Sequence, residues 1–134
     1  MLKEVEFHTG VEDRAAFACR LLRKAWRSGA QVLVTAPAGE LAELDRTLWT
    51  FEEREFLPHV RVPGSTPAVR ARTAVWLSPS VEAAQAASDG RAPRLLVNLG
   101  ADAPVELDGL DRVIEVLCTE AEDVARGRSR WRAY

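Results

Sequence analysis

The chain has 134 residues, 18 basic against 20 acidic, and a formal charge of −2, with 47% hydrophobic and 28% charged residues. That is one domain's worth of chain with an ordinary globular balance, long enough to bury a core without disulfides or metal. It excludes global disorder and a general electrostatic pull toward nucleic acid or anionic membrane, so any electrostatic function needs local clustering.

The start, "MLKEVEFHTG", lacks the apolar core of a signal peptide, and no apolar run approaches a membrane span. A cytoplasmic protein is expected. Alternation in Leu2 to His8 predicts a first strand, and "EDRAAFACRLLRKAWRSG" an amphipathic helix with Phe17, Leu21 and Ala25 on one stripe. Ala18, Leu22 and Trp26 lie beside that stripe, and Gly29 closes the helix as a left-handed residue. "QVLVTA" reads as a short buried strand, and Leu41, Leu44 and Leu48 give the seam of a second helix over 39–49.

Residues 51–72, with three prolines and a Pro-Gly turn, read as a long excursion holding at most one short edge strand near His59 to Val62. "TAVWL" is a strand, and "SPSVEAAQAASDG" suggests a helix capped by Ser78 with Pro79 in its first turn. "RLLVNLG" and "DRVIEVLC" are two further strands. Strands alternating with helices predict a single α/β domain over 1–134, with a mostly parallel central sheet flanked by helices.

Such a sheet binds ligands beyond the carboxyl ends of its strands, yet "HTGVED" and "TAPAGE" match neither phosphate-loop pattern. The expected architecture is Rossmann-like without a nucleotide-binding loop. Asn98, Gly100 and Asp102 after a later strand read as turn chemistry. His8 and His59 lack an organising spacing, Cys19 and Cys118 lack metal-ligand spacing, and no serine sits in a nucleophile elbow. No catalytic residue, metal or cofactor is expected.

The segment Arg126 to Tyr134, "RGRSRWRAY", gathers four arginines and two aromatics. It ends a helix that begins "TEAEDVA", where Thr119 and Glu122 form a capping-box pattern and Glu120 and Asp123 favour the positive helix end. On a helical projection, Val124, Gly127, Arg128, Trp131, Arg132 and Tyr134 share one arc, with Arg126 and Arg130 opposite. Gly127 beside Trp131 suggests a shallow pocket rimmed by Arg128 and Arg132, suited to an apolar side chain with carboxylates. The competing reading packs Trp131 onto the sheet. A second alternative is direct single-stranded nucleic-acid binding, with Trp131 and Tyr134 stacking on bases.

Three segments, "WRSGAQVLVTA", "LDRTLWTFEEREFLPH" and the closing "RWRAY", resemble the chi subunit family of the bacterial DNA polymerase III holoenzyme, in order and at appropriate separations. The resemblance spans nearly the whole chain, by pattern only from about residue 64 to 111. It implies a noncatalytic replication adaptor in the clamp-loader assembly. Such proteins bind the acidic, phenylalanine-ended C-terminal tail of single-stranded-DNA-binding protein, and separately the psi subunit, touching nucleic acid only indirectly. The implied tail site is Trp49, Arg128, Trp131 and Arg132, and Phe56 belongs to the psi-facing surface. Two departures stand out: Val124 occupies a position where relatives carry lysine, and the extension past the last tyrosine is absent. The resemblance therefore implies a weaker tail site, or one recruiting Arg126 or Arg130. Trp131 replaces a tyrosine and keeps a flat stacking surface.

Overall fold

In the computed structural model the described residues are 2–50, 57–62, 64–104, 106–118 and 121–134. Six strands are β1 (Glu4–Val11), β2 (Val32–Thr35), β3 (His59–Arg61), β4 (Val75–Ser78), β5 (Leu95–Asn98) and β6 (Arg112–Cys118). Five helices are α1 (Arg14–Arg27), α2 (Ala38–Thr50), α3 (Pro67–Arg72), α4 (Val81–Ser88) and α5 (Ala121–Ala133). The strands form one sheet in the order β1-β6-β5-β2-β4-β3, and every pairing is parallel. None of the described helices is long and apolar enough to cross a membrane.

The short apolar strands VLVT and VWLS are buried along their whole length because the sheet is covered on both faces. From β1 to β2 to β3 the chain steps one way across the sheet; from β3 through β6 it steps back. Right-handed crossovers therefore send α1 and α2 to one face and α3 and α4 to the other. The packing agrees. One core joins Ala18, Cys19 and Leu22 of α1 and Leu41, Leu44 and Leu48 of α2 to Val34, Val97 and Ile114. The other joins Val81 and Ala84 of α4 to Leu33, Trp76, Leu96 and Val113, with Tyr134 of the C-terminal segment packed against it.

Local signals explain the helix limits. Asp13 caps α1 by accepting from Ala16 N at 3.1 Å, and Gly29 after the helix has φ +85°, as its position suggested. The helix expected from Ser78 starts later: Ser80 is its cap, accepting from Ala83 N at 3.0 Å. Ser78 instead ends β4, and its hydroxyl donates to Ser80 O at 2.7 Å. The excursion over 51–72 contains the short edge strand β3 and also α3, which sequence periodicity missed. Six residues are too few to show a period, but Thr66 as cap with Pro67 in the first turn is a helix-start signature. Thr119, and with it the capping-box pattern, lies outside the described residues.

The terminal helix sits on the α4 face because Gly127 lets it approach β6. A Cβ at this position would meet Leu117 Cδ1 at 2.5 Å, so Gly127 is buried against the sheet and is not the bare exposed patch its spacing suggested. In an open helix, glycine to alanine gains about 1 kcal/mol from propensity. Here Gly127→Ala is expected to lose about 1–3 kcal/mol through overpacking, read by urea denaturation. A gain in stability would show that α5 does not rest on Leu117.

Candidate functional site

At the carboxyl end of the sheet, register places Ser78, Thr35, Asn98, Glu115 and Phe7 in one row across five strands. The first four are buried polar residues. Thr35 Oγ1 donates to Asn98 Oδ1 at 3.1 Å, and Asn98 Nδ2 donates to Glu115 Oε1 at 2.9 Å. Asn98 also shapes the turn after β5, accepting from Ala101 N at 2.8 Å, so its turn role is joined to a second one.

Glu115 is fully buried on the face that receives α5, and the helix supplies what its carboxylate needs. Arg130 Nε donates to Oε2 at 3.0 Å, and the Tyr134 hydroxyl donates to Oε1 at 2.7 Å. Arg130 is only 5% exposed. It is thus not on the solvated side of the helix, and it is not available to replace the missing lysine charge at Val124. The inward stripe of α5 is Gly127, Arg130 and Tyr134. Burial first, and then the Glu115 charge and hydrogen bond, hold the Tyr134 phenol far above its ordinary range.

The neighbouring stripe of α5 looks across to the edge strand β1. Between them lies a groove of about 430 Å³, with Leu117 and Gly127 beneath, Phe7 and Thr9 of β1 on one side, and Val124, Arg128 and Trp131 on the other. Trp131 is 64% exposed, so it does not pack onto the sheet. Arg128 and Arg132 are exposed, and among the described residues neither forms an ion pair. Apolar walls with unneutralised guanidinium groups beside them can hold an apolar side chain and carboxylates together. Phe7 and Thr9 were not anticipated, because nothing local ties the first strand to the last helix.

Trp49 lies elsewhere. It ends α2 on the opposite face, 61% exposed, with its ring edge-on to His59 at 5.2 Å between centroids. The His59 ring is held with Nδ1 2.7 Å from Leu57 O and Nε2 3.0 Å from Asp45 Oδ1. His59 opens β3, the edge strand farthest from β1, five strand spacings or roughly 24 Å away. Of the four residues expected to form one site, the structure brings Arg128, Trp131 and Arg132 onto one helix and leaves Trp49 at the opposite corner. Phe56 lies outside the described residues.

The customary ligand position beyond the strand ends is occupied by the chain's own carboxylates. A crevice of about 540 Å³ there is lined by Glu12, Asp13, Glu40 and Glu43, with Arg14 reaching Glu40 at 3.5 Å. Asp13 caps α1 and Glu40 lies in the first turn of α2, where a phosphate would otherwise sit. Among the described residues no group of three or more metal-ligating side chains converges. His8 lies 3.3 Å from Glu6, against the ring of Phe17.

The family model described as DNA polymerase III chi subunit, HolC, matches residues 2–134. The chain belongs to this family. It is similar to DNA polymerase III subunit chi of Pseudomonas aeruginosa strain PAO1, 32% identical over 122 residues that cover 90% of this chain and 78% of the relative. Chi-family membership makes the chain an accessory subunit of the replicative polymerase assembly, and its groove lies on a helix and an edge strand that both fall within the match.

Two measurements separate the inner and outer stripes of α5. Arg130→Met strands the Glu115 carboxylate and is expected to cost about 3–5 kcal/mol, whereas Trp131→Ala removes little buried area and should cost less than about 1 kcal/mol. Equal losses would contradict this division. Tyr134 is the single tyrosine of the chain, so phenolate absorbance reports it alone. Its folded pKa is raised above the ordinary 10.0, so the stabilisation is complete below about pH 10 and is lost as pH climbs beyond it. Phenolate absorbance should therefore appear only together with alkaline unfolding; a simple titration near pH 10 in the folded state would show that the phenol is not sequestered.

Proposed function

We propose that the chain is a noncatalytic adaptor: it holds the acidic C-terminal tail of single-stranded-DNA-binding protein in the groove between β1 and α5, and joins the polymerase assembly through the psi subunit. The observation that carries this reading is an exposed tryptophan over an apolar groove, flanked by two arginines that form no ion pair among the described residues, while the arginine between them is consumed by Glu115. A helix needs no exposed indole for its own stability. An acidic peptide ending in phenylalanine would place its ring over Leu117 and its carboxylates against Arg128 and Arg132.

Val124, standing where relatives carry lysine, lines the groove and exchanges a charge for apolar wall. Affinity here leans more on burial and less on long-range attraction. Trp49, beside His59 and next in sequence to residues 51–56, is assigned with Phe56 to the psi-facing surface, since it stands away from the groove.

Fluorescence titration with an acidic peptide ending in phenylalanine is expected to give micromolar affinity, about 8 kcal/mol, with little response to single-stranded DNA alone at physiological salt. Trp131→Ala should lose about 2 kcal/mol or more of this, Arg128→Ala should flatten the salt dependence, and Trp49→Ala should change neither. Tight DNA binding without a peptide response would replace this reading with direct nucleic-acid binding. A peptide affinity that falls with Trp49→Ala as steeply as with Trp131→Ala would return Trp49 to the tail site.

A further inference from the structure

On the face that carries α3 and α4, a cavity of about 340 Å³ opens between these helices at the amino-terminal ends of β2 and β4. Pro67, Ala71, Trp76 and Ala87 give it apolar walls, and Arg70 and Arg91 bring positive charge. The Trp76 ring is fixed in place, because its Nε1 donates to Arg70 O at 2.9 Å and to Thr73 O at 3.0 Å.

Arg70 is the unusual member. It is only 5% exposed, and every acceptor it has is neutral. Nη1 donates to Ser65 O at 2.6 Å and Ser65 Oγ at 3.1 Å, with Val62 O at 3.4 Å, and Nη2 donates to Ala87 O at 2.8 Å. Among the described residues no carboxylate forms an ion pair with it. Its Nε is buried and has no acceptor among the described residues. Asp89 and Arg91, both exposed, also line the cavity and offset one another in charge, which leaves the Arg70 charge uncompensated.

A guanidinium carries five N–H groups. The bonds above leave Nε–H and one of the two Nη2 hydrogens unused. Nε and Nη2 form the side-on edge that a pair of oxyanion oxygens bridges. The carboxyl-terminal end of α4, from which Ala87 O comes, contributes only part of a negative charge. A buried cation is normally paired with a full one.

We propose that this cavity is a binding site for a small oxyanion, a carboxylate or phosphate borne on an apolar body, with the Arg70 charge, supported by Arg91, holding the anion and Trp76 lining the apolar part. It is separate from the α5 groove and does not depend on the reading given to that groove.

Calorimetric and NMR titrations of the whole chain with phenyl phosphate, benzoate, inorganic phosphate and benzylamine test the assignment. One of the two aromatic anions is expected to bind at least tenfold more tightly than inorganic phosphate, and the tighter one identifies the head group. Binding should move the ¹⁵Nε resonance of Arg70, and benzylamine should not bind. Ala71→Phe fills the cavity and should abolish binding, Arg91→Ala should weaken it several-fold, and the double variant Arg128→Ala with Arg132→Ala should leave it unchanged. Arg70→Gln should also lose it; because that change removes four structural hydrogen bonds, the cavity-filling variant carries the test if the chain unfolds. Absence of binding by either aromatic anion, an Arg70 Nε signal that stays fixed through the titration, binding that survives Ala71→Phe, or binding lost in the double variant would each overturn the proposal.

Discussion

The arrangement rests on one carboxylate. Glu115 sits among apolar neighbours in the middle of β6 with no exposure to water, and a charge there is tolerated only if the surrounding groups replace its hydration. Asn98 does so from the adjacent strand, and Arg130 and Tyr134 from the terminal helix. Because Arg130 lies on α5 and Tyr134 directly follows it, satisfying Glu115 and docking the helix are the same event. The helix then has no rotational freedom: with Arg130 and Tyr134 turned inward and Gly127 against Leu117, Arg128 and Trp131 must face the groove. A buried ion pair adds little net stability, but it specifies orientation, and so fixes which side chains α5 turns toward the groove.

The same economy of charge accounts for where the chain does not offer a phosphate site. Two helix amino termini converge beyond the strand ends, the arrangement that binds nucleotides in other parallel sheets. Here Asp13 caps the one and Glu40 stands in the first turn of the other, with Glu12 and Glu43 close by, so an incoming phosphate would meet carboxylates. The open positive charge has moved to the outer face of α5, at the sheet edge.

The order of strands and helices was legible in the sequence because buried parallel strands are short apolar runs and the first two helices carry clear seams at Leu22, Leu41, Leu44 and Leu48. α3 was not, because a single short helix inside a proline-rich stretch has no period to detect. The sharper lesson concerns Arg130. The helical projection set Arg130 opposite an arc that held Trp131 and Tyr134 together, whereas the informative residue was the lone glutamate of "RVIEVLC", which draws both Arg130 and Tyr134 inward. The resemblance grouped Trp49 with the α5 residues; only the sheet order, which places β3 and β1 at opposite edges, separates them. One wall of the groove, Phe7 and Thr9, comes from a strand more than a hundred residues earlier, and no local pattern encodes that contact.

That last contact has a consequence for how the chain is made. β1 is hydrogen-bonded to one strand alone, β6, which follows almost the whole length of chain. As the polypeptide leaves the ribosome, its first strand therefore waits unpaired while β2, β4 and β5 can already assemble, and the loop that must close is the longest in the molecule. The groove is built from β1 and α5, so it comes into being only once α5 has been made and has met β1. A chain interrupted before α5 lacks the groove altogether, so the groove reports that β1, β6 and α5 have all come together.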